Sequence, residues 1–400
     1  MARDGETLPA TRHEAHFGDR VVSCFADRHP TIDAMIGAVA AQYPDRDAVV
    51  DGNKRLSFAE LDRRASVVAA GFRGLGLAPG NRIGLLVGNR WEFVVALLGA
   101  IRVGLIAVPL STRLQGPELG YILKDCGAAG LVFEADLADR IADAGPLPDL
   151  AARISIGPHA DAPVTFGRLL ERHDPEFAAS DAHEEDTAII LYTSGTTGHP
   201  KGAMLSHLNV LHSCLHFRIG FHLTPDDRSL LAVPASHVTG VIACIMAPLS
   251  VGGAVLVLKA FDVAAFLALA AGERMTTTVM VPAMYNLCLL RADLDEYDLS
   301  AWRVGAYGGA PMPPATIRAL ADHLPGLNLA NAYGATETTS PTTLMPLGDP
   351  QAHGDSVGKV VCCGDVRIMD DDGNEVGPGE TGEVWIAGPM VVSGYWNKPE

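Results

Sequence analysis

Positive charge is the scarcest commodity in this chain. Lys and Arg number 30 against 47 Asp and Glu, a formal net charge of −17 over 400 residues. So acidic a surface repels polyanions, which argues against nucleic acid as a main partner. A phosphate-rich ligand would have to be held by local donors and a metal. Cysteine pairing is also missing: the seven cysteines are odd in number, form no C-x-x-C, and include the adjacent Cys362-Cys363, ill placed to bridge each other. They read as free thiols in a reducing compartment, so a cytoplasmic location is expected. No H-E-x-x-H or Cys/His ligand cluster appears, and structural zinc is not expected. Arg3, Asp4, Glu6, Arg12, Glu14, Asp19 and Arg20 leave the N-terminal stretch without an apolar core, so no secretory signal is expected either. Residues 229–258 carry no Asp, Glu, Lys or Arg, but Pro234, His237, Gly240, Pro248, Gly252 and Gly253 interrupt them. A buried series of strand, helix and strand fits that run better than an integral membrane segment. The two commonest phosphate loops, G-x-x-x-x-G-K-[ST] and G-x-G-x-x-G, are absent as well.

What the chain does have is apolar bulk, with 48% hydrophobic residues. Four hundred residues exceed one simple core and suggest two or three subdomains. Thr31 is placed to cap a helix over 32–42, and Ser57, with Glu60 three residues on, a helix over 58–74. Gly52-Asn53 between apolar runs signals a hairpin. Strands expected over 82–87, 106–109 and 130–133 alternate with helices over 92–102 and 118–126. After residue 186 the alternation resumes through strands near 230, 256, 279, 305 and 329. Alternation of this kind implies an α/β fold: two stacked, doubly wound, mostly parallel sheet subdomains with helices on both faces. The first is expected over 1–185, with 145–185 as a weakly structured passage, and the second over 186–340. Short alternating strands beyond 340, around Asp371-Asp372-Gly373 and Gly377-Pro378-Gly379, suggest a small β-barrel subdomain over 341–400.

The chain is organised around Leu191-Tyr-Thr-Ser-Gly-Thr-Thr-Gly-His-Pro-Lys-Gly202. An apolar strand runs into it, and a helix is expected to begin near Ser206. Gly195, Gly198 and Gly202 free backbone N–H groups to face an anion; Thr193, Ser194, Thr196 and Thr197 supply hydroxyls, and Lys201 a mobile charge. A plain polar surface loop is the alternative that composition leaves open. Gly308-Gly309-Ala310-Pro311 stands where a strand ends and a helix begins, the place where open parallel sheets bind ligands. Asn331-Ala332-Tyr333-Gly334-Ala-Thr336-Glu337 stands at another strand end. There Tyr333 offers a ring face, Asn331 an amide, and Glu337 a hard oxygen ligand for Mg²⁺. A helix cap built from Thr336 and Glu337 would use the same residues. Pro234-Ala-Ser-His237-Val238-Thr239-Gly240 places a histidine in an apolar run, where a core role is as natural as a functional one.

These segments, in this order, resemble the adenylate-forming superfamily of acyl-CoA synthetases, peptide-synthetase adenylation domains and luciferases. The likeness extends from about residue 48 through Asp355-Ser-Val-Gly-Lys359 and Gly382-Glu-Val-Trp-Ile-Ala-Gly-Pro389 to Gly394-Tyr-Trp-Asn-Lys-Pro-Glu400. The resemblance implies an AMP-forming acid–thiol ligase using ATP, Mg²⁺ and coenzyme A. In it, residues 193–201 hold the β- and γ-phosphates, and Gly308, Gly309, Ala310, Pro311, Asn331, Ala332, Tyr333 and Gly334 the adenine. Thr336 meets the α-phosphate and Glu337 binds the metal. Lys201, Thr336, Glu337 and His237 are thus the expected catalytic set, with His237 positioning the carboxylate or gating the pocket. His237, Val238, Thr239, Gly240 and Val241, with Tyr307, Gly309 and Met312, imply a pocket for a fatty or aryl carboxylic acid. Loading of a carrier-protein thiol, a non-catalytic nucleotide-binding homologue, and a homodimer remain open at this point. Family members continue with a ribose-binding Asp, a hinge and a mobile domain of roughly a hundred residues that carries a catalytic Lys. None of these lies within the 400 residues, so ligand binding is expected to outlast catalysis.

Overall fold

The computed structural model describes residues 8–159, 162, 164–171, 179–193, 198–348 and 354–398. Local chemistry sets the first elements. Thr31 accepts the Ala34 N–H at the head of helix Ile32–Gln42, and Ser57 accepts that of Glu60 at the head of Phe58–Gly74. Each satisfies a donor that a helix start leaves unpaired. The hairpin around Gly52 forms from strands Asp47–Asp51 and Lys54–Ser57.

Two large sheets result. One, seven-stranded, runs in the order Lys201–Ser206, Thr187–Thr193, Ile106–Pro109, Arg82–Leu86, Ala128–Glu134, Ala152–Ile156, Val164–Thr165. The other, nine-stranded, runs Lys359–Val360, Thr343–Leu344, Asn328–Tyr333, Val304–Tyr307, Thr277–Met280, Arg228–Leu231, Ala254–Val257, Asp47–Asp51, Lys54–Ser57. The nine-stranded sheet is parallel within and antiparallel at both edges, whereas the seven-stranded one is antiparallel only at its Lys201–Ser206 edge. Interior strands such as Ile106–Pro109 and Val304–Tyr307 are buried at every position, as strands covered on both faces must be. The buried helices Trp91–Arg102 and His207–Phe221 contribute to the largest core cluster, which takes in strands of both sheets.

Three expectations change. The sheets do not divide the chain at 185/186: the hairpin 47–57 joins the far sheet and strands 187–206 join the near one. Alternation of elements reports a parallel sheet without reporting which sheet a strand enters. The phosphate loop is followed by a strand, Lys201–Ser206, antiparallel to Thr187–Thr193, before the helix begins. The buried strand, helix and strand expected over 229–258 form, the helix being a π-helix, Thr239–Met246, between strands Arg228–Leu231 and Ala254–Val257. Beyond residue 340 no closed barrel forms among the described residues. Two short strands extend the nine-stranded sheet, and Asp365–Met369 pairs with Glu383–Ala387 in a two-stranded sheet exposed along most of its length, with no apolar inner face to close upon. The polar N-terminal hairpin Thr11–His16/Arg20–Phe25 is an addition that alternation of apolar residues did not signal.

Candidate nucleotide and acid site

The site gathers at strand ends. Tyr307 and Asn331 are register partners, closing adjacent parallel strands, so Gly308–Pro311 and Tyr333–Gly334 emerge side by side. Gly309 has φ +76°, a conformation an L side chain rarely adopts, and it turns the chain outward from the strand. Ala310 and Pro311 are exposed beside it, as is the Tyr333 ring, 37% accessible and free to lie against a planar base. The buried Asn331 side chain donates one N–H to the Ser356 carbonyl at 3.2 Å, holding the 355–358 segment; its oxygen and second N–H are not committed by that bond.

The turn after this strand carries Thr336 and Glu337. Its cap is made by Thr338, whose hydroxyl accepts the Ala335 N–H at 3.0 Å, so neither Thr336 nor Glu337 is spent on capping. Both are half-buried. Glu337 Oε1 accepts a hydrogen bond from the Tyr395 hydroxyl at 2.7 Å. Burial, and then the Glu337 carboxylate, push the Tyr395 phenol up to about 12, so it stays protonated and donating at neutral pH.

Thr193 and Lys201 face each other as the last register pair of the loop hairpin. Ser194, Gly195, Thr196 and Thr197 lie outside the described residues. Gly198 is in a turn at φ +141°, and His199 stacks on Tyr121 with ring centroids 4.5 Å apart. The helix expected near Ser206 runs His207–Phe221, with Ser206 as its cap. A six-residue strand therefore separates the helix from the loop. Strands rise about 3.3 Å per residue, so the helix N-terminus lies well away from the loop. The Lys201 ammonium lies 5.3 Å from the Tyr395 ring centroid.

The residues expected to line an acid pocket, 237–241, lie just beyond strand Arg228–Leu231 of the nine-stranded sheet. Asn89 crosses from the seven-stranded sheet to accept the Ala235 N–H at 2.8 Å and to donate to the Val233 and Leu258 carbonyls, both at 3.0 Å, which fixes the start of the 234–241 segment. Gly240, second in the π-helix, has no room for a side chain, because a Cβ there would overlap the Pro234 carbonyl. Val241 is buried, Val238 and Thr239 are half-buried, and the His237 ring is exposed. Desolvation, aided by the charge of Arg113, lowers the His237 pKa and keeps the imidazole neutral at physiological pH. Tyr307 and Met312 are 1% and 2% exposed, so they floor the region rather than line an open cleft.

Tyr395, Asn89 and Arg113 were not assigned roles by sequence reasoning. Tyr395 lay in plain view within the closing Gly394-Tyr-Trp segment, but nothing local in sequence ties it to Glu337. The fold also gathers a donor set that the sequence scattered: Glu14, His16 and Cys24 of the N-terminal hairpin. That carboxylate is already held bidentately by Arg28, at 2.9 and 2.6 Å, so the cluster is an ion-pair network in its present form. In the Mg²⁺ region the donors fit the ion. One carboxylate, half exposed beside a loop of phosphate-binding type, is what a cation shared with substrate phosphates requires.

Similarity to known proteins follows the same geometry. The chain matches the AMP-binding enzyme family over residues 37–396. A feruloyl-CoA synthase of Amycolatopsis sp is 33% identical over 368 residues, spanning 90% of this chain and 70% of that protein. The crystal structure of the anthranilate CoA ligase AuaEII in complex with anthranoyl-AMP superposes with a TM-score of 0.87 at 25% identity, over 93% of this chain and 72% of that one. The N-terminal domain of FACL13 from Mycobacterium tuberculosis gives 0.85 at 29% identity, over 93% of this chain and 92% of that domain. The chain belongs to the AMP-binding enzyme family that its motifs resembled.

Proposed function

We propose that the protein activates a carboxylic acid with ATP to an acyl-adenylate and passes the acyl group to coenzyme A. An oxygen of the acid attacks the α-phosphorus as the bond to pyrophosphate breaks; the thiol then attacks the acyl carbon and AMP leaves. The carboxylate is ionised near neutral pH and needs no general base, so the protein's task is positioning and charge neutralisation. Thr193 and Lys201, with Ser194, Gly195, Thr196, Thr197 and Gly198, hold the β- and γ-phosphates, and Thr336 the α-phosphate. Gly308–Pro311 and Asn331–Gly334 hold the adenine, with Tyr333 stacking. Glu337 is the ligand for Mg²⁺, which when bound supplies charge neutralisation on the phosphates. His237, neutral, donates a hydrogen bond that orients the acid.

The observation carrying this reading is that Lys201 and Glu337, from different sheets, meet on one side chain, Tyr395, at the edge where the adenine turns emerge. A cation and a hard carboxylate ligand held apart on one side chain suit a polyphosphate with its metal. The acid is read as aryl or fatty, since residues 238–245 and 307–312 contain no Asp, Glu, Lys or Arg to pair with a charged tail. The names of the feruloyl-CoA synthase and the anthranilate CoA ligase support an aryl acid. A cytoplasmic location is consistent with the seven free cysteines. The test incubates the gene product with Mg·ATP, coenzyme A and a panel of aryl, fatty, dicarboxylic and amino acids. Pyrophosphate and acyl-CoA should appear with aryl or fatty acids; their absence across the panel would refute the proposal.

A further inference from the structure

Lys201 and Glu337 reach the site by separate routes. Lys201 begins the edge strand of the seven-stranded sheet, and Glu337 sits in the turn beyond strand Asn328–Tyr333 of the other. The chain crosses between them at 389–396. Val392 N–H donates to the Glu337 carbonyl at 2.9 Å, Met204 N–H to that of Gly394 at 3.1 Å, and Trp396 N–H to that of Gly202 at 2.7 Å. The buried Asn209 amide donates to the Pro389 and Val391 carbonyls at 2.7 and 3.2 Å and pins the near end. This strap is therefore fixed by its backbone to both halves of the site, independently of any side chain it carries.

Tyr395 stands near the far end of the strap and touches both charges, its hydroxyl on Glu337 Oε1 and its ring beneath the Lys201 ammonium. Among the described residues neither charge has another side-chain partner, and they do not pair with each other. A direct Lys–Glu pair would neutralise both groups and fill the place where phosphate and cation must go. A phenol bonded to one carboxylate oxygen fixes the plane of the carboxylate and leaves the other oxygen for a hard cation. A ring face holds the ammonium without cancelling its charge.

We infer that Tyr395 is a positioning residue of the nucleotide site: its hydroxyl orients Glu337 for the metal, and its ring keeps Lys201 apart from Glu337 and available to phosphate. This rests on the reading of the site as one for Mg·ATP. Because backbone bonds hold the strap, Tyr395→Phe removes the orienting bond and leaves the strap in place. Tyr395→Gln keeps a donor and removes the ring.

The experiment is calorimetric titration of ATP into the chain with excess Mg²⁺ and, separately, with EDTA. In the unaltered chain Mg²⁺ should tighten ATP binding. In Tyr395→Phe that tightening should shrink about tenfold, as loss of a group supporting a metal ligand does, with metal-free affinity changed less than about twofold. Tyr395→Gln should restore most of the tightening while metal-free affinity falls. Glu337→Gln should abolish the tightening, and adding Tyr395→Phe to it should cost nothing more. The inference is overturned if Tyr395→Phe keeps the full Mg²⁺ effect, if it loses metal-free affinity in equal measure, or if Tyr395→Gln rescues nothing. Absence of ATP binding to the unaltered chain would instead overturn the reading of the site itself.

Discussion

Acid should unfold this protein earlier than its carboxylates alone would dictate, and helix His207–Phe221 is the reason. His207 Nδ1 accepts the Ile32 N–H at 3.2 Å. His212 Nε2 accepts that of Phe25 at 3.2 Å while its Nδ1 donates to the Leu208 carbonyl at 2.9 Å. Each bond from a backbone N–H requires an unprotonated ring nitrogen. Burial lowers both pKa values from 6.5 to about 4, and it lowers that of His216 as well. The sign follows from proton counting. Between pH 6.5 and 4 the unfolded chain takes up protons that the folded chain refuses, so stability falls as pH falls through that window and levels off below it. At pH 5.5 each of His207 and His212 costs about 1.4 kcal/mol relative to pH 8, roughly 3 kcal/mol together, and His216 adds in the same direction. That is a large share of the roughly 5–15 kcal/mol typical of a folded domain. Glu14, held well below the ordinary carboxylate range by Arg28, loses its contribution only under about pH 4.5 and does not confuse the window. Urea unfolding at half-unit intervals from pH 8 to 5 measures the slope. Replacing His212 with Gln should lower stability at pH 8 yet flatten the slope by about one proton's worth. An unchanged slope in that variant, or a flat profile in the unaltered protein, would refute the assignment.

Other expectations are equally direct. Lys201→Ala removes a charged contact and should weaken ATP binding by about 1.5–3 kcal/mol, measured calorimetrically with the acid present; unchanged affinity would remove Lys201 from phosphate binding. Each methylene added to a well-fitting acid should improve the rate at limiting acid by about 0.8 kcal/mol until the pocket fills, and better activation of dicarboxylates than of monocarboxylates of equal length would contradict the apolar wall. Gly240→Ala forces a methyl into the Pro234 carbonyl and should lower the melting temperature by several degrees, about 1–3 kcal/mol of overpacking, whereas a neutral change would show that the π-helix can shift.

How much of this was legible beforehand depended on the range of the interaction. Caps at Thr31 and Ser57 are local, and helices Ile32–Gln42 and Phe58–Gly74 start where those residues require. Lys201–Ser206 was missed because Gly202 and Ala203 carry weak strand propensity, and pairing with Thr187–Thr193 overrides it. The π-helix at Thr239–Met246 could not be distinguished from an α-helix in a run of Val, Ile, Ala and Cys, whose side chains report burial and not hydrogen-bond register. Strand placement across two sheets, and the meeting of Tyr395 with Glu337 from 58 residues away, are properties of tertiary structure alone. In the site, glycines, hydroxyls, Lys201 and Glu337 were visible as chemistry. The engagement of the Asn331 amide by Ser356 was not, because it depends on a loop brought in from elsewhere.

The central claim is that an acid carboxylate attacks the α-phosphorus of ATP before any thiol takes part. Acid-dependent exchange of labelled pyrophosphate into ATP, measured in the complete absence of coenzyme A, tests that step alone. The account predicts exchange that requires Mg²⁺ and an aryl or fatty acid and is lost in Glu337→Gln; exchange appearing only when coenzyme A is added, or proceeding without any acid, would contradict it.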